Sequence, residues 1–266
     1  MRGIIRDTVA ELRDRKFLWV FGVITFITIV VVVLLSRAQV SFTMESSGGF
    51  GVDDGVASVV QQALINAFDF FITMLLFLVV MATAGLVPGA LERGRADFYL
   101  VRPISRRSLL LNKFFGIWLV YGAAISICGL LLWAVGSLAF GSFDSGALWV
   151  LIMGLAALFI WLSVTVFVGV WTGSTALAMM SAVIVWVLQT ILSHREWIRV
   201  ITDSKIAATI NDWLYYIVPK PSAIADLAIR LAQGRPVNDW LPLWSSLLFA
   251  AVLLGLAVVI FKRKDY

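Results

Sequence analysis

The chain of 266 residues is 61% hydrophobic and only 14% charged, with a mean hydropathy of +0.96. These values exclude an ordinary soluble enzyme and indicate an integral membrane protein. The net charge of +5 does not indicate a nucleic-acid partner, because basic residues in such a chain must first be assigned to a side of the bilayer. A single cysteine, Cys128, and a single histidine, His194, exclude an intrachain disulfide and disfavour a metal site.

The first sixteen residues mix acidic and basic side chains, which is not typical of a secretory signal. On a helix, Ile5, Val9 and Leu12 would share one side, and the charged residues would lie mostly elsewhere. We therefore predict an amphipathic helix over residues 1–16 that lies at the membrane interface. The alternative is a frayed, charged terminus.

Six apolar runs follow, and each is long enough for a helix that crosses a hydrocarbon core of about 30 Å. The predicted spans are 17–35, 63–87, 114–140, 147–170, 176–192 and 241–261. The predicted fold class is an all-α integral membrane protein with six transmembrane helices, forming one domain over residues 1–266.

An even number of spans puts both termini on the same side of the membrane. If that side is the cytoplasm, it receives fourteen of the 21 basic residues and the other side receives seven. This bias agrees with the tendency of Lys and Arg to remain on the cytoplasmic side. We therefore expect a multi-pass protein with both termini in the cytoplasm.

The loops differ strongly in length. About five residues, 171–175, separate the fourth and fifth spans, so these two spans should form a hairpin. Nearly fifty residues, 193–240, separate the fifth and sixth, and we predict short helices over 206–217 and 222–231 in this external, membrane-facing cap. The loop 36–60 contains Gly and Ser clusters and is predicted to be flexible.

The second span contains a stripe of polar residues on its outer half. Gln62, Asn66, Asp69 and Thr73 recur at helical spacing and share one face. An ionised group that faces lipid near the bilayer centre costs about 2.5–3.5 kcal/mol, so Asp69 should face a helix, a cavity or a second copy. We predict that this face lines a translocation path or a dimer seam. The alternative is that Asp69 lies close enough to the outer surface to be hydrated.

The third span is expected to pack closely against a neighbour, because Gly122, Ser126 and Gly129 place small residues along it. Before it, residues 88–113 form the most informative cytoplasmic segment. This segment mixes charged residues with Leu91, Phe98, Tyr99 and others, as a protein-docking surface does. The alternative is a basic loop that only fixes the topology.

Several motifs resemble the family of ABC-2 type transporter permeases, the membrane subunits of ABC exporters. They are Glu92 followed by Gly94, the run from Leu100 through Pro103-Ile104-Ser105-Arg106, and Lys113 leading into a span. The N-terminal Glu11-Leu12-Arg13 with Lys16, and the ending Phe261-Lys262-Arg263-Lys264-Asp265-Tyr266, are also similar to members of this family.

The resemblance implies a permease of a bacterial inner membrane whose first sixteen residues form an elbow helix. It further implies that the first cytoplasmic loop holds a coupling helix seated on an ATPase subunit, and that the external loop holds short helices that partly re-enter the membrane. The residues expected to couple to the ATPase are Glu92, Arg93, Gly94, Asp97, Phe98, Tyr99, Pro103 and Arg106.

The chain itself should not hydrolyse ATP, because a P-loop requires a Gly-Lys dipeptide and none occurs in the sequence. ATP and Mg²⁺ would be bound by the separate ATPase, and no cofactor is expected in this chain. The family usually has twelve spans, so the resemblance implies a homodimer of permeases with two ATPase subunits.

The cargo of such an exporter is expected to be amphipathic or lipid-like, because the path would be apolar and aromatic. The residues that indicate this are Phe70, Phe71, Met74 and Trp118. The alternative is that these residues only pack the helices together. Two alternatives remain. The same fold could transmit ATPase motion to an external partner protein, or the chain could be an ion-coupled secondary carrier.

Overall fold

The computed structural model describes residues 17–46, 54–85, 106–140, 145–193, 218–237 and 239–263. These residues form seven α-helices and contain no β-strand. The helices are α1 Phe17–Ser46, α2 Asp54–Thr83, α3 Arg106–Phe140, α4 Ala147–Thr172, α5 Thr175–Ser193, α6 Pro221–Ala232 and α7 Leu241–Arg263.

Helix α4 lies at the centre of the bundle. It contacts α2, α3, α5, α6 and α7, and its contacts with α7 are the most extensive. About two thirds of α4 is buried, compared with little more than a quarter of α7. Helix α1 packs mainly on α3 at the edge of the bundle. The core therefore lies around α4, with α1 at the periphery.

Four helices have segments long and apolar enough to cross a membrane. These segments are Leu64–Thr83 of α2, Arg107–Ala139 of α3, Ala147–Thr172 of α4 and Leu241–Arg263 of α7. In α1 and α5 the apolar segments with described side chains are shorter, Trp19–Leu34 and Thr175–Leu188. The all-helical fold and its membrane character are thus confirmed, with four long candidate spans.

The predicted hairpin between α4 and α5 is confirmed. Helix α4 ends at Gly173, which has a left-handed φ of 69° and donates its N–H to the carbonyl oxygen of Gly169. A side chain disfavours this conformation, so glycine suits the position. Ser174 then caps the start of α5, because its Oγ accepts a hydrogen bond from the backbone N–H of Leu177. Two residues therefore reverse the chain.

The prediction of a flexible loop over 36–60 is wrong at both ends. Helix α1 continues to Ser46 and α2 begins at Asp54, nine residues before the predicted span. Hydropathy marks only the lipid-buried part of a helix. The sequence 36–46 contains neither Gly nor Pro, so no helix-breaking residue ends the helix before Ser46.

The boundary between the predicted coupling loop 88–113 and the third span also needs correction. Helix α3 begins at Arg106, so residues 106–113 belong to the helix and not to a loop. After Pro103 the sequence contains no further proline before residue 219, and nothing interrupts the helix until Phe140. At 1.5 Å per residue, α3 is about 52 Å long and exceeds the hydrocarbon core.

Within the segment between α5 and α7, α6 spans Pro221–Ala232, close to the predicted 222–231. The apolar residues Ile224, Leu227 and Ala228 are buried, and α6 packs mainly on α4. The predicted helices over 1–16 and 206–217, and residues 88–105 of the coupling segment, lie outside the described residues.

The two ends of the bundle differ in charge. Among the described side chains, those at the end formed by the start of α3 and the end of α7 are only basic: Arg107, Lys113, Lys262 and Arg263. Acidic and basic side chains are mixed at the opposite end, around α6. We call these the basic end and the α6 end.

Candidate functional site

A cavity of about 440 Å³ lies between α2, α4, α5 and α6, towards the α6 end. Its wall is mainly apolar, with Asp69 and Thr73 from α2 and Ser222 from α6 as polar members. Three aromatic side chains also line it: Phe77, Trp161 and Trp186. A cavity of this size falls within the range of roughly 300–1,000 Å³ that is typical of small-molecule sites.

The predicted polar stripe of α2 is divided between this cavity and a contact with α6. Asp69 and Thr73 line the cavity. Gln62 accepts a hydrogen bond at its Oε1 from the Nε2 of Gln233, just after α6, and donates one to Asn66 over 3.0 Å. One half of the stripe therefore faces the cavity, and the other half contacts the residue that follows α6. Its part in transport or dimerisation stays a prediction.

Asp69 is the sixth residue of the candidate span Leu64–Thr83 and lies about 8 Å along the helix axis from Leu64. Among the described residues, no hydrogen bond or ion pair involves its carboxylate. The nearest described charge that acts on it is that of Asp226 in α6, and it is repulsive. No basic side chain of the described residues lines the cavity. Among the described lining residues, Asp69 is therefore the one that can carry a charge, and that charge is negative.

The opening of the cavity lies between α2 and α5. Four lining residues are exposed there: Thr73 and Phe77 on α2, and Val183 and Trp186 on α5. Trp186 is 57% exposed, whereas the lining residues of α4 are buried or half-buried. Because α2 and α5 are apolar helices, the opening faces the region that lipid would occupy.

Glycines let α2 and α3 approach α4 closely. A Cβ at Gly154 of α4 would lie 2.7 Å from Cγ2 of Ile72, and a Cβ at Gly129 of α3 would lie 3.0 Å from Cδ1 of Leu151. At Gly122 the distance to Cδ2 of Leu155 would be 3.3 Å. The predicted close packing at Gly122 and Gly129 is thus confirmed, and Gly154, which also lines the cavity, is an additional close contact.

Helix α6 is fixed to α7 by a buried lysine at its start. Lys220 is 4% exposed. Its backbone N–H donates to Oγ of Ser246 over 2.9 Å, and its Nζ donates to Oγ of Ser245 over 3.3 Å. Together with the contact between Gln233 and Gln62, these bonds hold both ends of α6 on the bundle. Helix α6 therefore forms a firm wall of the cavity.

On its other side, α4 is joined to α3 by an aromatic cluster. Phe114, which is 1% exposed, meets Phe159 edge to face with ring centroids 5.2 Å apart. Trp118 packs on Phe159 and donates its Nε1–H to the carbonyl oxygen of Leu155 over 3.2 Å. Leu155 and Phe159 lie within the part of α4 that lines the cavity, so the cluster connects the first turns of α3 with the cavity wall.

The residues predicted to couple to an ATPase lie almost entirely outside the described residues. These are Glu92, Arg93, Gly94, Asp97, Phe98, Tyr99 and Pro103. Arg106 is the first residue of α3. The segment that precedes Arg106 therefore leads directly into a long, continuous helix.

Sequence reasoning missed Trp161 and Trp186. Tryptophans of membrane proteins favour the interfaces, and Trp19, Trp149, Trp171, Trp240 and Trp244 lie near helix ends in this way. Trp161 and Trp186 instead lie well inside α4 and α5. Trp118 of α3 shares this depth without lining the cavity, so depth alone does not identify the two residues. In the described part of the chain, no group of three His, Cys, Asp or Glu side chains could hold a metal ion.

The fold and the cavity define the class: a helical membrane protein with an internal, laterally open site. The chain belongs to a family described as proteins of unknown function, DUF2705, whose model matches residues 23–266. No curated protein shows significant similarity to the chain.

Proposed function

We propose that the chain is the transmembrane permease subunit of an ABC-type exporter of the bacterial inner membrane. A separate ATPase binds ATP and Mg²⁺, and this chain moves an amphipathic or lipid-like molecule across the membrane. The proposal combines the ABC-2-like motifs around Glu92 and Arg106 with a structural route from that segment to the cavity.

This route carries the proposal. Helix α3 runs without interruption from Arg106 at the basic end, and the cluster of Phe114, Trp118 and Phe159 joins it to α4. Helix α4 supplies Gly154 and Trp161 to the cavity wall. Because close-packed helices move as units rather than deforming continuously, a displacement of the segment before Arg106 would reach the cavity through two helices.

In the proposed topology, α1 and α5 are the first and fifth of six spans. Their helices have 30 and 19 residues, or about 45 Å and 28 Å, close to or above the thickness of a hydrocarbon core. The basic end faces the cytoplasm together with both termini, in agreement with the positive-inside rule. The elbow helix over 1–16 and the coupling helix within 88–105 complete this scheme, with two permeases and two ATPases per assembly.

A second candidate function has its own structural support. Helix α6 is bonded to α7 through Lys220 and to α2 through Gln233. Motion of the bundle would therefore also move the external segment, and the output could be a change in an external partner protein. Both candidates require the same ATPase, whereas an ion-coupled carrier requires none.

Purification from native membranes tests the proposal. We expect a P-loop ATPase to accompany the wild-type chain in stoichiometric amounts, and to be lost when Glu92, Phe98 and Tyr99 are replaced by alanine. The control is Asp239→Asn at the α6 end, which should retain the ATPase. Nucleotide-independent transport by the purified chain alone would reject both ATP-driven candidates.

A further inference from the structure

The cavity combines negative charge with an aromatic, apolar wall. Asp69 is its single acidic lining residue among those described, Asp226 adds a second negative charge nearby, and no described basic side chain faces it. The basic residues of this region are directed elsewhere: Lys220 binds Ser245 of α7, and Arg230 does not line the cavity.

An ionised Asp69 at this depth would be costly without a countercharge, because lipid and apolar side chains solvate a carboxylate poorly. A bound cation would supply that countercharge. Trp186 is suited to the same task, since the face of an indole ring attracts a cation more strongly than that of Tyr or Phe. Trp161 lies level with Val80, about 15 Å further along the helix axis than Asp69, so it would contact the apolar body of a ligand. Charge and aromatic lining therefore favour the same sign of ligand.

The rest of the wall selects an apolar body. Ile72, Leu76, Val80, Val150 and Met153 line the cavity, and they would exclude a hydrated inorganic ion, which needs several oxygen ligands. The opening between α2 and α5 faces the lipid region, so a ligand that partitions into the bilayer could enter sideways. A molecule with an apolar body and one positive charge meets both conditions.

We propose that this cavity binds an organic monocation with a bulky apolar body, its charge next to Asp69 and its body extending along the cavity towards Trp186 and Trp161. As the identity of a transported cargo, this inference rests on the proposed export function. As a statement about binding, it concerns this chain alone and needs neither ATP nor the ATPase.

Two ions of the same shape and opposite charge test the inference. The purified chain in nanodiscs is titrated with tetraphenylphosphonium or tetraphenylborate by equilibrium dialysis, and binding to empty nanodiscs is subtracted. We expect saturable binding of tetraphenylphosphonium at one site per chain and no saturable binding of tetraphenylborate. Equal binding of both ions, or none of the cation, would overturn the inference.

Variants locate the site. Asp69→Asn should weaken tetraphenylphosphonium binding at least about tenfold, because it removes the charge and keeps the shape. Asp69→Glu should keep the affinity within about threefold, and Asp239→Asn, outside the cavity, should leave it unchanged. An unchanged affinity in Asp69→Asn would contradict the inference.

A second pair of variants does not depend on the carboxylate. Trp161→Leu should weaken binding by about threefold to thirtyfold, because it removes aromatic contact area from the apolar body of the ligand. The matched control is Trp149→Leu on the same helix, since Trp149 does not line the cavity. Equal effects of the two changes would reject the assignment. Cation binding without copurification of an ATPase would reject the exporter but retain the site.

Discussion

Ile72 of α2 and Gly154 of α4 are packed so closely that a Cβ on the glycine would lie 2.7 Å from Cγ2 of the isoleucine. Cγ2 is bonded directly to Cβ of isoleucine, and a β-branched side chain in a helix has one strongly preferred rotamer. It cannot swing away, so the distance between the two helices depends on this glycine. Both residues line the cavity, and its width depends on the same contact.

Gly154→Ala should therefore destabilise the bundle by about 1–3 kcal/mol, the usual cost of overpacking. Gly136→Ala and Gly255→Ala are matched controls, since a Cβ there has no neighbour within 4 Å. They should be neutral or stabilising, because alanine is the better helix former. Thermal unfolding in detergent, monitored by size-exclusion chromatography, measures the difference in stability between the variants. Unfolding at the same temperature for Gly154→Ala and Gly255→Ala would contradict the contact.

Ile72→Leu gives a rescue experiment, because it moves the branch one carbon away from the helix. In that background, the cost of Gly154→Ala should fall, and the two changes should be non-additive, as expected for residues in contact. Strictly additive effects on the unfolding temperature would show that some other neighbour causes the destabilisation.

Helix α6 should depend on a single hydroxyl of α7. Ser246→Ala leaves the buried backbone N–H of Lys220 without its 2.9 Å acceptor, which should cost about 1–3 kcal/mol locally. Ser245→Ala removes only the longer contact to the Nζ of Lys220 and should cost less. Hydrogen–deuterium exchange over residues 218–232 should rise strongly in the first variant and slightly in the second. The reverse order would contradict the assigned roles of the two serines.

The α3–α4 cluster should transmit motion. Phe114→Leu keeps an apolar side chain but removes the edge-to-face contact with Phe159. We expect this variant to retain a bound ATPase while its transport, or its nucleotide-driven structural change, decreases. Phe26→Leu on the exposed face of α1 is the control and should behave as wild type. Loss of the ATPase itself in Phe114→Leu would show that the cluster supports folding rather than transmission.

The two ends of the bundle should lie on opposite sides of the membrane. In a Cys128→Ser background, Arg235→Cys is exposed at the α6 end and Arg263→Cys is exposed at the basic end. A membrane-impermeant maleimide should label the first in intact spheroplasts and the second only after lysis. Labelling of both residues from the same side would overturn the topology and, with it, the cytoplasmic position of residues 88–105.

The sequence allowed the helical class and the hairpin between α4 and α5 to be predicted, because the length of an apolar run and the length of a short connection are local signals. It did not allow the true ends of α1, α2 and α3 to be predicted. The apolar run ends at Leu35, but the helix continues through polar residues to Ser46. Hydropathy therefore marks the end of the apolar run and not the end of the helix.

The candidate site was predictable only in part. The spacing of Asp69 and Thr73 predicted a shared polar face, and both line the cavity. Their partners could not be inferred, since Trp161, Trp186 and Ser222 come from three other helices that are distant in the chain. The requirement for Gly154 likewise depends on Ile72, 82 positions earlier in the sequence.

The distance across the cavity opening gives the most direct measurement of ATP-driven motion. Spin labels are attached at Phe77→Cys and Val183→Cys in a Cys128→Ser background, and each complex carries one labelled copy. Double electron–electron resonance then measures the distance between α2 and α5. We predict that ATP with Mg²⁺ shifts this distance when the ATPase is present and leaves it unchanged when the ATPase is absent. An unchanged distance in the active complex, or the same shift without the ATPase, would contradict an ATPase-driven permease.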